Sequence, residues 1–96
     1  MSVYMIIEIS RIHEPAAYAE YVDRVPAIVE RFGGRYVVRT SQVVRMSGEW
    51  RPERLIVLEF PAFENVRQFT ASAEYQELAP LRERSTESRS IAVEGC

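Results

Sequence analysis

The chain has 96 residues, of which 47% are hydrophobic and 27% are charged, and its formal net charge is −2. This balanced composition indicates a folded globular protein and excludes the disordered class. The length suits a single domain over residues 1–96. The weak negative charge argues against nucleic acid or an anionic membrane as a partner.

Residue types that support covalent or metal chemistry are scarce. Cys96 is the single cysteine, and every basic side chain is an arginine. An internal disulfide, a thiolate metal cluster and lysine Schiff-base chemistry are therefore excluded. The first residues lack the basic segment and apolar run of a signal peptide. No apolar run reaches the length of about 18 residues that is needed to span a bilayer. We expect a cytoplasmic protein.

The first third of the sequence predicts a strand followed by a helix. Residues 3–10 are apolar and β-branched, which is typical of a strand buried on both faces. Pro15 suits the first turn of a helix, and apolar residues then recur at steps of three and four as far as Phe32. Pro26 is expected to bend or divide this helix. The pair Gly33 and Gly34 ends it.

Two further strands and a long connection follow. Residues 35–40 alternate in character and predict the second strand, while residues 55–60 predict the third. Between them lies a connection, residues 41–53, in which residues 43–46 are expected to pair in part. Gly48 marks its turn.

The last third predicts helical segments and a short strand. Residues 61–70 predict a second helix, and Ser72 can cap a further helical piece that Pro80 bends. A polar linker over residues 82–89 then leads to a last strand over residues 90–94.

This order of elements predicts an α+β, ferredoxin-like βαββαβ fold. Right-handed crossovers place the strands in the order four, one, three, two, as a four-stranded antiparallel sheet with two helices on one face. The other face would leave apolar side chains such as Ile6 and Val57 in water. We therefore expect a homodimer that forms through the sheet face.

Several short motifs occur in a fixed order along nearly the whole chain. They are Glu20-Tyr21, Val25-Pro26, the run from Gly33 to Arg39, Gly48 with Trp50 and Pro52, the run from Arg54 to Pro61, Ser72 with Glu74-Tyr75-Gln76, Arg82, and Val93-Glu94-Gly95. In these motifs the chain resembles the DUF1330 family of the dimeric α/β barrel superfamily.

The resemblance implies a small cytoplasmic protein in which two ferredoxin-like subunits join their sheets into a barrel. It implies no particular reaction, although other members of the superfamily include cofactor-independent monooxygenases, isomerases and haem-handling proteins. Ser41 and Ala62 depart from the family pattern, where a glycine and a capping serine are common. The first change affects the shape of the long connection, and the second removes a cap from the second helix.

Charged residues in the apolar strands are the main candidates for a site. Glu8, Glu59, Arg35 and Arg39 are expected to share the face away from the helices, with Arg39 near Glu8 and Arg35 near Glu59. One interpretation is that these pairs fix the register of the two subunits. In the other, Glu59 with a raised pKa is a general base, Glu8 is a second catalytic candidate, and Arg39, Arg54 or Arg35 binds a substrate carboxylate.

Aromatic residues supply candidate walls for a binding pocket. Tyr18, Tyr21, Tyr36 and Tyr75 are expected to line the space between helices and sheet, either as pocket walls or as core residues with satisfied hydroxyls. Trp50 lies in the long connection, where it either packs on the partner subunit or covers a ligand.

Two classes of function remain open. His13 is the only histidine and is assigned to solvent, so we expect no metal site and no cofactor. The third strand lacks the stacking aromatics of an RNA-recognition module. The first hypothesis is a homodimer that binds a small organic acid or aromatic molecule and performs cofactor-independent proton transfer or monooxygenation. The alternative is a non-catalytic dimeric module for ligand sensing or partner binding.

Overall fold

Strands with alternating apolar residues form the central sheet, and amphipathic helices cover one of its faces. The computed structural model describes Met1–Cys96. In chain order the elements are β1 (Val3–Ile12), α1 (Pro15–Arg31), β2 (Arg35–Thr40), β3 (Arg54–Phe60), α2 (Phe63–Ala71), α3 (Ala73–Ser85) and β4 (Thr86–Glu94). The strand order is β2-β3-β1-β4, and each neighbouring pair is antiparallel. The predicted ferredoxin-like arrangement is confirmed.

The fold has three helices, because the backbone is extended at Ser72 and separates α2 from the further helical segment predicted after it. Ser72 has φ −64° and ψ 146°, and its Oγ accepts a hydrogen bond from the backbone N–H of Tyr75 at 3.1 Å. This bond satisfies a donor that the first turn of a helix leaves free. The predicted cap is confirmed. Ala62, which precedes α2, provides no side-chain cap.

The end of the chain differs from the prediction. Because α3 continues to Ser85 and β4 begins at Thr86, the expected polar linker over residues 82–89 and the short last strand are wrong. β4 is an edge strand, where polar side chains can meet water, so its sequence shows little hydrophobic alternation. Pro26 and Pro80 lie within continuous helices and divide neither. None of the three helices has the length and apolarity needed to cross a bilayer.

The glycine pair ends α1 as predicted. Gly33 has φ +85°, a left-handed conformation that favours glycine, and the backbone N–H of Gly34 donates to Val29 O at 2.9 Å. A Cβ atom at Gly34 would lie 2.6 Å from the Phe60 ring. The second glycine therefore lets the helix end pack closely on the sheet.

The core lies between the helices and one face of the sheet. On β1 the buried residues alternate along this face, from Val3 through Met5 and Ile7 to Ile9. Phe60 and Phe69 lie among the fully buried side chains, with ring centroids 5.6 Å apart. Ile6, on the opposite face of β1, is only partly buried in the single chain. We call this opposite side of the sheet the open face.

A β-bulge in β2 decides which residues reach the core. Tyr36 pairs with Leu58 and Arg39 pairs with Ile56, so three steps on β2 match two steps on β3. The extra residue is Val37, and it inverts the alternation beyond it. Tyr36 and Arg39 consequently both lie on the helix side of the sheet, where their partners Leu58 and Ile56 are buried.

The bulge corrects one prediction. Arg39 was expected near Glu8, on the assumption that β2 alternates regularly and places Arg39 on the same face as Arg35. Arg35 does pair with Glu59, but Arg39 lies on the other side of the sheet. The predicted Arg39–Glu8 pair is wrong because the sequence does not reveal the bulge.

The connection between β2 and β3, residues 41–53, has no strand, so the expected pairing of residues 43–46 is wrong. Val44 is 82% exposed and Met46 is 90% exposed, so pairing here would have buried little apolar surface. Glu53 fixes the end of the connection to β1. Its N–H donates to Ile9 O at 2.9 Å, and its carboxylate accepts from the backbone N–H of Ile12 at 2.7 Å.

Candidate functional site

The first candidate, Glu59, lies on the open face within a set of hydrogen-bond donors. It forms an ion pair with Arg35 at 2.5 Å and accepts a hydrogen bond from the Tyr4 hydroxyl at 3.2 Å. A hydrogen bond from Ser2 is the main influence that lowers the pKa of Glu59, and Arg35 adds to it against the opposing effect of burial. The expectation of a raised pKa is therefore wrong.

Glu8 is also on the open face and is 6% exposed. One carboxylate oxygen accepts from Trp50 Nε1 at 2.6 Å, and the other accepts from Arg89 Nε at 2.6 Å. Burial acts to raise the pKa of Glu8, but the hydrogen bonds from Trp50 and Arg89 outweigh it and leave the pKa below its usual value. An ionised carboxylate that already accepts two strong hydrogen bonds is a weak proton acceptor.

The other candidates surround a cavity on the helix side of the sheet. Most of its lining is apolar, and the polar side chains in it are tyrosines and arginines. These are Tyr18, Tyr21, Tyr36, Tyr75, Arg39, Arg54 and Arg82. The cavity volume is about 30 Å³, room for roughly two water molecules.

Four tyrosines bring hydroxyl groups to the lining of this cavity. The hydroxyls of Tyr21 and Tyr75 are hydrogen-bonded at 2.9 Å. Burial strongly raises the pKa of Tyr21, and the neighbouring Tyr75 adds to the effect. Burial also raises the pKa of Tyr18 and of Tyr36. Tyr18, Tyr21 and Tyr36 therefore keep their protons at neutral pH and are hydrogen-bonding groups rather than bases.

The three arginines bring positive charge without a carboxylate in the lining. Nε of Arg54 and Nε of Arg82 are buried and have no hydrogen-bond partner. Buried donors without a partner are rare in native proteins. Arg54 lines the cavity beside Tyr18 and opposes the effect of burial on the pKa of Tyr18. The Arg39 guanidinium lies 4.6 Å from the centre of the Tyr36 ring. Together these groups suit an anionic ligand with an apolar body.

The cavity adjoins the surface between α1 and the long connection. A depression of about 430 Å³ lies there and shares Tyr18, Val22 and Arg54 with the lining of the cavity. Its rim includes Ser41 and Glu53. Arg54 therefore lies at the junction of the cavity and the depression.

The sheet divides the predicted site residues into two groups. Glu8, Glu59, Arg35 and Trp50 belong to the open face, where each takes part in a hydrogen bond or ion pair with another open-face residue. Tyr21, Tyr75, Arg39 and Arg54 line the cavity on the other side. The predicted combination of Glu59 with Arg39 in one site, and of Trp50 with Tyr21 as its walls, is wrong.

Arg82 and Arg89 were not among the predicted site residues, because both fell in the supposed polar linker. Arg82 follows Tyr75 by seven positions, which places both on the same face of a helix. Extending the helical pattern by one turn would have found Arg82. The partnership of Arg89 with Glu8 depends on the register of β4 and left no signal in the sequence.

The sheet order, the helices on one face and the cavity between them define a ferredoxin-like α/β protein. The chain belongs to the family described as domain of unknown function (DUF1330), which matches residues 2–96. No curated protein matches the sequence significantly.

Several solved structures share the fold at low sequence identity. RPA0582 from Rhodopseudomonas palustris, a protein of unknown function, has a TM-score of 0.81 at 20% identity over 99% of this chain and 82% of its own. SnoaB from Streptomyces nogalater, a cofactor-independent oxygenase, has a TM-score of 0.72 at 15% identity over 99% of this chain and 93% of its own. A dimeric ferredoxin-like protein of unknown function from Jannaschia sp. CCS1 has a TM-score of 0.68 at 10% identity over 99% and 100%.

Proposed function

We propose that this protein binds a small organic anion with an apolar or aromatic body in the cavity between the sheet and the helices. The observation that supports this most is the pair of buried Nε donors on Arg54 and Arg82, which have no acceptor within the protein. A carboxylate oxygen placed in the cavity would satisfy them. Arg54 and Arg39 are the predicted anion-binding residues that retain this role in the proposal.

Tyr21 and Tyr75 form part of the wall of this binding site. Their hydroxyls are bonded to each other, so each keeps a lone pair or a proton available for a ligand. The unliganded cavity is smaller than an organic acid. Binding therefore requires side chains to move toward the adjoining depression, which the long arginine side chains allow.

We further propose that two copies pair through the open face. Val37 is 46% exposed and Ile91 is 61% exposed on this face, and apolar surface of this kind favours association. Glu8 and Glu59 each pair with an arginine of the same chain, so both negative charges stay compensated if a second copy covers this face. In this proposal both glutamates serve the assembly and its register rather than catalysis.

Cofactor-independent oxygenation is the second candidate function. SnoaB shares the fold and is a cofactor-independent oxygenase, and arginines in an apolar cavity would stabilise a substrate anion, which chemistry of this kind requires. The lining contains no carboxylate or histidine, so a proton-transfer reaction would need a base from the substrate or solvent. Oxygen uptake that depends on both enzyme and an added phenol would support this candidate, and its absence with every ligand that binds would favour a non-catalytic binding module.

A thermal-shift screen of small carboxylates and phenols, followed by titration calorimetry, tests the proposed binding. Arg54→Gln should weaken a hit by roughly 10-fold or more, because a hydrogen bond to a charged group is worth about 1.5–3 kcal/mol. Arg51→Gln is the matched control, since Arg51 is exposed and does not line the cavity. Equal affinity in both variants and in the wild type would contradict the proposed site.

A further inference from the structure

We propose that the ligand of this cavity is a doubly charged small organic anion, and that Arg82 discriminates between it and singly charged acids. This inference rests on the proposed binding function and adds the class of ligand. Three arginines line the cavity from three elements, with Arg39 on β2, Arg54 on β3 and Arg82 on α3. The lining contains no acidic side chain.

The three guanidinium groups act on one tyrosine cluster. Arg54 and Arg82 line the cavity with Tyr18, and both oppose the effect of burial on the pKa of Tyr18. Tyr21 lies within reach of Arg82 and of Tyr36. Arg39 packs over the Tyr36 ring. The three arginines therefore surround the same cavity as the tyrosines.

Carboxylates outside the cavity compensate these charges poorly. The ion-pair partner of Arg82 is its neighbour Glu83, at 3.8 Å, and the Glu83 side chain is 65% exposed. An exposed pair of this kind contributes little. By contrast, the open-face arginines Arg35 and Arg89 contact largely buried carboxylates directly. The arginines of the cavity differ in having no such partner.

Charge balance then favours two negative charges on the ligand. Arg39 is exposed to solvent, whereas Arg54 and Arg82 are partly buried. A singly charged acid that neutralises one of these two leaves the other in a partly desolvated, apolar cavity, which is unfavourable. A dicarboxylate or a phosphate monoester neutralises two. Both chemistries match the forked donors of arginine, so the experiment compares them separately.

The test is titration calorimetry on the full chain at pH 8 with matched anions. The dianions are succinate, isophthalate and phenyl phosphate, and the singly charged counterparts are monomethyl succinate, monomethyl isophthalate and methyl phenyl phosphate. We expect at least one dianion to bind roughly 10-fold more tightly than its counterpart. The chemistry of that pair identifies the acid group as carboxylate or phosphate.

Variants connect the discrimination to Arg82. Arg82→Gln should weaken binding of the dianion roughly 10-fold more than binding of its singly charged counterpart, and so abolish the preference. Arg84→Gln is the control on the same helix, since Arg84 faces Glu14 outside the cavity. Circular dichroism and thermal melting of each variant verify that it is folded.

The outcomes separate this inference from the proposed function. Equal affinity for both members of every pair overturns the dianion proposal while binding in the cavity stands. An unchanged preference in Arg82→Gln overturns the role of Arg82. If no anion of either charge binds the wild type, the proposed function itself fails.

Discussion

At the scale of the residue, the sheet separates charged groups that are compensated from charged groups that are not. Glu8 is buried and ionised, and Trp50 and Arg89 satisfy both of its oxygens. Arg54 and Arg82 are partly buried, line the cavity and each have a buried Nε without a hydrogen-bond partner. The charge of Glu8 is compensated within the protein, whereas in the proposed function a ligand compensates the two arginines.

The Glu8 arrangement predicts an effect of substitution. Glu8→Gln keeps an oxygen for Trp50 but removes the charge that Arg89 contacts, and we expect a loss of about 1–3 kcal/mol in the free energy of unfolding. Urea unfolding at pH 7 measures it. Glu20→Gln, which removes an exposed pair with Arg24, should cost at most about 0.5 kcal/mol. A loss no larger than that of the control would contradict the role given to Glu8.

The same carboxylate predicts a dependence of stability on pH. Because the pKa of Glu8 is lower in the folded protein than its ordinary value of 4.5, its stabilising contribution is complete above that value and is lost as the pH falls below it and through the lower pKa of the folded protein. Urea unfolding between pH 7 and pH 3 should show decreasing stability. In Glu8→Gln the decrease should be smaller, and an unchanged decrease would show that other groups cause it.

The tyrosine pair in the cavity predicts an energetic coupling. Tyr21→Phe and Tyr75→Phe each remove one side of a buried hydrogen bond and should each cost about 1 kcal/mol. Since the two changes remove the same bond, the double variant should cost less than the sum by roughly 1 kcal/mol. A double-mutant cycle by chemical denaturation measures the coupling, and additive effects would contradict the bond.

At the scale of the element, the sequence predicted what depends on local pattern and missed what depends on pairing. The order of strands, the glycine stop at Gly33 and the cap at Ser72 follow from turn chemistry and periodicity, and the structure has all three. The bulge at Val37 arises from how β2 meets β3, so it could not be read from either strand alone. For that reason Arg39 was assigned to the wrong face.

Removing the capping serine before α3 and adding one before α2 should change the stability in opposite directions. Ser72→Ala removes the bond to the backbone N–H of Tyr75 and should reduce stability by about 1 kcal/mol. Ala62→Ser introduces a cap where α2 has none and should increase stability by about 0.5–1 kcal/mol. Thermal and urea unfolding of the two variants measure both changes. A stabilising Ser72→Ala would show that the observed cap contributes nothing.

At the scale of the whole molecule, one sheet serves two proposed purposes. The helix side encloses the cavity, and the open face offers apolar surface to a second copy. Because the two sets of residues lie on opposite sides of the strands, assembly and ligand binding can be altered independently.

This separation predicts the result of a charge placed on the open face. Val57 lies on this face between Ile6 of β1 and Val38 of β2, so Val57→Asp should convert a dimer into a folded monomer at micromolar concentration. Ala16→Asp, on the exposed surface of α1, is the control and should leave the dimer intact. Sedimentation velocity measures both. A wild-type chain that sediments as a monomer would refute the assembly.

The bulge at Val37 also bears on how such a protein can diverge. Tyr36 and Arg39 pair with Leu58 and Ile56 on either side of it, so loss of the Val37 codon would leave a regular ladder with both pairings unchanged. Deletion of this one residue therefore leaves the cavity residues in place and changes only the open face. The proposed assembly can diverge at this position while the proposed ligand site stays the same.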